Sequence, residues 1–148
     1  MSRYYIAYGS NLNIYQMAVR CPGAKRVGTT TINNHRLFFA GSPSNAHATI
    51  EVAPGYSVPV MVWKITKRDE AVLDMYEGVP RYYTKEKMTI RIGDDIYDAL
   101  VYVMDKQQKA GEPNINYYNV VKVGYRTSGF NIETLETALT ESRDRKEA

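Results

Sequence analysis

The sequence predicts an α+β domain in which a small mixed β-barrel is flanked by helices. Three observations favour this class. An apolar, strand-like run lies near the amino end, several short β-type segments occupy residues 28–65, and helical periodicity dominates the carboxyl-terminal part. Strands and helices that occur in separate runs are typical of α+β folds.

The first predicted unit is a strand, a tight loop and a helix. Residues 4–7 form a short apolar run that Gly9 ends, the pattern of a buried strand. Asn11 is placed to cap the following helix, and Pro22 and Gly23 are placed to stop it. The apolar residues at helical spacing are Leu12, Ile14, Met17, Ala18 and Cys21.

The middle of the chain is predicted to be β-structure followed by one helix. The segments "HRLFFAG", "HATIEVA" and "VPVMVWKIT", separated by "GSPSN" and "PGYS", predict three strands. Thr66 and Asp69 have the spacing of a capping box, and the helix that they start ends at Gly78. Next, "YYTKEKMTIRI" and "IYDALVYVMD", joined by "GDD", predict a hairpin.

Two helices complete the predicted fold. Residues 117, 120, 121 and 124 share one face of the first, and Asn131 caps the second, whose apolar positions are 132, 135 and 139. The tail 141–148 has no apolar residue to anchor it, so we expect it to fray. A length of 148 residues predicts a single domain spanning residues 1–148.

Composition limits the possible functions. The net charge is +3, and the basic residues are interspersed with acids, so the basic surface of a nucleic-acid-binding protein is not expected. No run approaches the about 18 apolar residues of a membrane span, and no signal-peptide pattern is seen. We therefore expect a cytoplasmic protein without a membrane or nucleic-acid partner. Cys21 alone cannot form a disulfide framework and is predicted to be buried on the first helix.

The usual catalytic patterns are not found. His35 and His47 have no second ligand at a productive spacing, so both are predicted to be structural or surface residues and no metal site is expected. Gly9-Ser10 does not form a nucleophile elbow. The glycine-rich phosphate-binding motifs are missing too.

The loop "YGSN", residues Tyr8 to Asn11, is the first candidate site. Glycine permits a close backbone approach, and the free N–H groups at the start of the next helix point into the same space. Such a loop is suited to a carboxylate or a developing oxyanion. An ordinary capped connection between a strand and a helix explains the same residues, and both interpretations remain open at this point.

Glu77 in "LDMYEGVPRYY" is the second candidate. It ends a helix and is flanked by Tyr76, Tyr82 and Tyr83. The negative end of the helix dipole and desolvation by aromatic rings both destabilise the charged carboxylate. A carboxyl group of this kind can exchange protons near neutral pH. A solvated glutamate at a helix end is the alternative.

Three segments together resemble the γ-glutamylcyclotransferase family, including its AIG2-like members. They are "YIAYGSNL", "LDMYEGV" and "PNINYYNVVKVG", and the resemblance extends over about residues 5–139. It implies an α+β fold around a small barrel, a cavity at the barrel mouth, and release of 5-oxoproline from a γ-glutamyl compound. It also implies that the α-amine of the substrate is the nucleophile and that no metal or organic cofactor is needed.

The resemblance also implies roles for particular residues. Glu77 matches the general acid/base. The expected partner is a small γ-glutamyl molecule, which the loops "GSPSNAH" and "QQKAGEPN" would select by its leaving group, and a monomer or a homodimer is expected. Residues matched to substrate binding are Tyr8, Gly9, Ser10, Asn11, Leu12, Tyr83, Tyr102 and Tyr117. Tyr82 is the alternative to Tyr83, and Tyr118 is the less favoured alternative to Tyr117.

Two alternatives to this function remain open from the sequence. One is a relative specific for another conjugate, such as a γ-glutamylamine or the γ-glutamyl-protected precursor of an antibiotic. The other is a binding module that has kept the pocket without turnover.

Overall fold

A computed structural model describes residues 3–148 as a five-stranded sheet with four α-helices. The strands are β1 (Arg3–Ala7), β2 (Lys25–Ala40), β3 (His47–Ile65), β4 (Tyr83–Ile92) and β5 (Asp95–Met104). The helices are α1 (Ile14–Arg20), α2 (Lys67–Tyr76), α3 (Ile115–Ser128) and α4 (Ile132–Glu147), and a 3₁₀ turn covers Ser10–Leu12. None of the helices in this part of the chain is long and apolar enough to cross a membrane.

The sheet is mixed, which confirms the predicted α+β class. Its strand order is β2-β3-β1-β5-β4, with β1 antiparallel to β3 and parallel to β5. It is not closed into the predicted barrel, because β2 and β4 approach each other through side chains. Thr30 Oγ1 donates to the carbonyl oxygen of Arg91 over 2.8 Å, where a closed barrel would have a backbone ladder.

The predicted three-strand segment is two long strands. β2 and β3 form one antiparallel hairpin, and "PGYS" lies inside β3 instead of reversing the chain. Gly55, with φ of +87°, faces a register shift at Asn34, whose φ is +57°. Asn34 Oδ1 accepts a hydrogen bond from the N–H of Gly55 over 3.2 Å, so the ribbon bends here without ending.

Most of the predicted helix starts are confirmed. The capping box of Thr66 and Asp69 is present, and Asn131 caps α4. The hairpin of β4 and β5 is present as well. The predicted cap at Asn11 is wrong, because residues 10–12 form the 3₁₀ turn and α1 starts later. Asn13 caps α1, and its Oδ1 accepts from the N–H groups of residues 15 and 16.

The structure also differs from the predicted frayed tail, since α4 continues to Glu147. Ser142 is fully buried, and its Oγ accepts from the N–H of Phe39 over 2.9 Å. Arg145 forms an ion pair with Glu51 on β3 at 2.8 Å. Polar contacts therefore anchor a segment whose one apolar residue is Ala148.

The helix α3 packs directly against the loop after β1. A Cβ atom at Gly124 would lie 2.6 Å from Leu12 Cβ and 2.8 Å from the nitrogen of Asn13. Asn13 Nδ2 also donates to the carbonyl oxygen of Val120 over 3.1 Å. Cys21 is buried as predicted, although it directly follows α1 and is not part of it. The glycine on α3 therefore sets how closely the helix holds the loop.

Candidate active site

A cavity of about 240 Å³ lies where the loop after β1, the end of α2 and the start of β3 meet. Aromatic side chains form most of its wall, and seven of the thirteen tyrosines of the chain line it. Their rings supply apolar surface to the wall, and their hydroxyls add polar groups to those of Ser10, Asn11, His47 and Glu77. The high tyrosine content of the sequence is thus largely concentrated at one site.

Almost all of the sequence-predicted site residues lie around this cavity. Leu12 is the exception, since it is fully buried beneath the loop and its N–H donates to the carbonyl oxygen of Gly9 over 3.1 Å. Both Tyr82 and Tyr83 contribute to the wall, whereas Tyr118 packs against Phe39 outside it. The predicted residues in the wall are Tyr8, Gly9, Ser10, Asn11, Glu77, Tyr83, Tyr102 and Tyr117.

The loop is held rigidly from several sides. Asn11 is almost fully buried; its carbonyl oxygen accepts from Trp63 Nε1 over 3.1 Å, and its Nδ2 donates to Tyr5 Oη over 2.9 Å. A Cβ atom at Gly9 would lie 3.1 Å from Ala48 Cβ, so the glycine allows the loop to approach β3. The first N–H groups of a helical turn have no partner within it. Those of Ser10 and Asn11 are such groups, at the wall of the cavity.

Glu77 is the carboxyl group in the cavity wall. It follows the last turn of α2, where its N–H donates to the carbonyl oxygen of Leu73 over 2.8 Å, and its side chain is half-buried. Burial raises the pKa of Glu77 from an ordinary value of 4.5 to about 7, and the nearby positive charge of Arg20 opposes that rise. Both protonation states of Glu77 are therefore populated near neutral pH.

Three tyrosine hydroxyls in the wall donate their hydrogens to other groups of the protein. Tyr8 donates to the carbonyl oxygen of Tyr102 over 2.5 Å, and Tyr83 donates to that of Ala48 over 2.6 Å. Tyr102 donates to Asp74 Oδ1 over 2.6 Å. A carbonyl oxygen or a carboxylate can only accept, so these hydroxyls shape the cavity without a hydrogen to offer a ligand.

Two other hydroxyls keep a hydrogen available. The N–H of Ala48 donates to Tyr117 Oη over 3.0 Å, and Asn11 Nδ2 donates to Tyr5 Oη. Because both oxygens are acceptors in these contacts, each hydroxyl can still donate its own hydrogen. Burial raises the pKa of Tyr5 and of Tyr117, so both stay neutral donors across the physiological range.

His47, which the sequence predicted to be a structural or surface residue, lies in the wall of the cavity. Its Nδ1 lies 2.9 Å from Tyr82 Oη, and its ring packs edge-to-face on Tyr117 with centroids 4.7 Å apart. Burial lowers its pKa, which favours the neutral imidazole. Tyr5 and Tyr76 also line the cavity without having been predicted. No spacing rule connects these residues, because β3, β1 and α2 bring them together only in the folded chain.

A buried cavity that combines a carboxyl group titrating near neutral pH with preoriented hydrogen-bond donors is the arrangement of an acid–base enzyme. The family model for gamma-glutamyl cyclotransferase, AIG2-like proteins matches residues 5–119. The chain belongs to this family, as predicted, and is a γ-glutamylcyclotransferase-like enzyme.

Similar sequences and structures agree with this assignment. The human gamma-glutamylcyclotransferase is 30% identical over 142 residues, which cover 89% of this chain and 74% of the human protein. The mouse protein of the same name is 30% identical over 84% of this chain and 71% of its own length. A solved structure named gamma-glutamyl cyclotransferase superposes with a TM-score of 0.83 at 23% identity, covering 99% of both chains. A human protein described as uncharacterized gives 0.82 at 24% identity, again over 99% of each chain. These two structures support the fold.

Proposed function

We propose that the protein releases 5-oxoproline from a small γ-glutamyl peptide or amine, with Glu77 as the general acid/base. The supporting observation is a carboxyl group with a pKa of about 7 in a cavity that also holds the loop of residues 9–11. The reaction needs no nucleophile from the protein, because the α-amine of the substrate attacks the γ-carbonyl carbon. Proton transfer, charge stabilisation and substrate folding are the tasks that remain.

The γ-glutamyl group occupies the closed end of the cavity in this proposal. Tyr5, Tyr8, Tyr83 and Tyr102 are all at most 6% exposed and form the floor, whereas Tyr76 is 47% exposed and stands at the opening. A compact floor of fixed side chains favours a folded γ-glutamyl group, in which the amine and the γ-carbonyl lie near each other. The leaving group then extends towards the opening.

The backbone of the loop and two tyrosines supply the donors. The free N–H groups of Ser10 and Asn11 bind the α-carboxylate or the oxyanion of the tetrahedral intermediate. Tyr117 and Tyr5 have hydroxyl hydrogens available for the same purpose. We assign the donor role to these groups and a wall role to Tyr83 and Tyr102, whose hydroxyls are engaged elsewhere.

Glu77 transfers one proton in each direction. Its carboxylate removes a proton from the α-ammonium, and the freed amine forms the new C–N bond to the γ-carbonyl carbon, whose π electrons move onto the oxygen. The tetrahedral intermediate collapses as the bond to the leaving nitrogen breaks, and the protonated Glu77 donates its proton to that nitrogen. The new ring nitrogen passes its remaining extra proton to the released amine, so the products are 5-oxoproline and an ammonium ion, and Glu77 returns to the carboxylate form.

Mass spectrometric detection of 5-oxoproline tests this proposal directly. The wild-type protein is incubated with γ-glutamyl dipeptides, glutathione and γ-glutamyl amines, beside Glu77→Gln and the surface control Glu86→Gln. We expect wild type and Glu86→Gln to form 5-oxoproline from at least one compound, and Glu77→Gln to be slower by about a hundredfold or more.

Two results would contradict the proposal. Full turnover by a folded Glu77→Gln protein would remove Glu77 from the mechanism. Tight binding of a γ-glutamyl compound without any 5-oxoproline would favour a binding module. The relative rates across the panel identify the class of leaving group, either an amino acid or an amine.

A further inference from the structure

Arg20 contacts the substrate-binding loop from outside the cavity wall. It lies in the last turn of α1, and its Nη1 donates to Asn11 Oδ1 over 2.6 Å and to Ser10 Oγ over 3.3 Å. Asn11 in turn donates to Tyr5 Oη. The orientation of the Asn11 side chain, and through it the Tyr5 hydroxyl, therefore depends on the guanidinium group.

The same guanidinium also contacts the element that holds Glu77. Its Cζ atom lies 3.3 Å from the centroid of the Tyr76 ring, and Tyr76 directly precedes Glu77. A planar guanidinium can stack on an aromatic ring while its edge donates hydrogen bonds, which an ammonium group cannot do equally well. Arg20 thus connects the loop after β1 to the end of α2.

We propose that Arg20 is a positioning residue that holds the loop of residues 9–11 at a fixed distance from the glutamate-bearing end of α2. The catalytic meaning of this role rests on the function proposed above. Arg20 itself touches no substrate, since it lies outside the cavity wall. Arg20 affects the reaction in two ways. Its contacts with Asn11 and Tyr76 fix the position of the loop, and its positive charge lowers the pKa of Glu77.

The charge of Arg20 acts on Glu77 in the opposite direction to burial. The other titratable groups that line the cavity with Glu77 are tyrosines and one histidine. They are Tyr5 on β1, Tyr8 after it, Tyr76 on α2, Tyr82 before β4, Tyr83 on β4, Tyr102 on β5, Tyr117 on α3 and His47 on β3. Arg20 is the cation that lowers the pKa of Glu77. Removing it leaves burial unopposed, so the carboxylate would form only at higher pH.

Two substitutions separate the contacts of Arg20 from its charge. Arg20→Met removes both, whereas Arg20→Lys keeps the charge and loses the combined stacking and hydrogen bonding. Arg126→Met is the matched control, because Arg126 is exposed in the last turn of α3 and lies outside the cavity wall. All variants are first compared by circular dichroism and thermal unfolding.

The titration of Glu77 is measured without substrate, by NMR of protein labelled with 13C at the glutamate carboxyl. Glu77→Gln identifies the signal of Glu77. We expect the midpoint in Arg20→Met to move to higher pH by about half a pH unit or more. Arg20→Lys and Arg126→Met are expected to titrate like the wild type.

Steady-state kinetics with the best γ-glutamyl substrate measure the positioning role. We expect KM to rise about tenfold in both Arg20 variants, because each loosens Asn11. In the pH profile of kcat/KM, the rise on the acidic side should shift to higher pH in Arg20→Met alone. Arg126→Met is expected to match the wild type in both respects.

Unchanged titration of Glu77 in Arg20→Met, or a wild-type KM in Arg20→Lys, would overturn the inference. If Arg20→Met does not fold, the KM of Arg20→Lys decides the positioning role alone. A wild-type protein without turnover would refute the proposed function instead, and the NMR titration would still decide whether Arg20 acts on Glu77.

Discussion

Replacing Glu77 by glutamine should make the protein more stable, and increasingly so as the pH rises. The folded protein holds the Glu77 carboxyl with a pKa of about 7, against an ordinary value of 4.5. The folded state therefore binds this proton more tightly than the unfolded state does. Between these two pH values the wild-type protein loses stability, because the carboxyl group ionises in the unfolded chain while burial keeps it protonated in the folded one. The neutral amide of glutamine does not titrate, so the variant has no such loss.

The size of the effect follows from the difference between the two values. One pH unit corresponds to about 1.4 kcal/mol, so the full difference is worth about 3 kcal/mol at pH 8. At pH 5 most of the carboxyl groups in the folded protein are still protonated, and the difference falls to about 1 kcal/mol. We therefore expect the free energy of unfolding of Glu77→Gln, relative to wild type, to grow by about 2 kcal/mol from pH 5 to pH 8.

Urea unfolding followed by tryptophan fluorescence measures these free energies, since Trp63 is buried beside the loop. Each variant is unfolded at pH 5, 6, 7 and 8. Glu86→Gln is the control, because Glu86 is exposed on β4 and its replacement should change stability by no more than about 0.5 kcal/mol at any pH.

A constant difference between wild type and Glu77→Gln from pH 5 to pH 8 would refute this reasoning. It would mean that Glu77 titrates at the same pH in the folded and unfolded protein. The desolvation argument for its acid–base role would then fail, whatever the activity of the variant.

Three further predictions follow from individual contacts. Gly124→Ala should lower the free energy of unfolding by about 1 to 3 kcal/mol, measured by urea unfolding, because the added methyl group collides with Leu12; unchanged stability would contradict the close packing of α3. Tyr117→Phe should lower kcat about a hundredfold while the neighbouring control Tyr118→Phe keeps it, since Tyr117 can donate into the cavity and Tyr118 lies outside it; equal rates would exclude this donor. Gly9→Ala should raise the KM for the γ-glutamyl substrate about tenfold in steady-state kinetics, because the methyl group would push the loop away from Ala48. A wild-type KM would show that the loop tolerates the added methyl group.

Local patterns in the sequence were sufficient for most of the elements. The capping box at Thr66, the cap at Asn131 and the hairpin of β4 and β5 depend on residues close in the chain, and all three were predicted correctly. Predictions failed where distant contacts decide the outcome. The hydrogen bond from Gly55 to Asn34 replaces the expected turn by a bend within β3. The hydrogen bond between Ser142 and Phe39 holds a tail whose one apolar residue is Ala148.

The sequence by itself determined the family, the α+β class and the candidate pair of the "YGSN" loop and Glu77, because motifs and periodicity are properties of neighbouring residues. Only the tertiary structure decided which groups share the cavity. His47 and Tyr5 line the cavity although they were not predicted as site residues, and Leu12 was predicted but does not line it. The hydroxyl hydrogen of Tyr117 remains available to a ligand. These outcomes depend on strand pairing and on the packing of α3 against the loop. Desolvation and hydrogen-bond direction arise between segments far apart in the chain, so they exist only once it has folded.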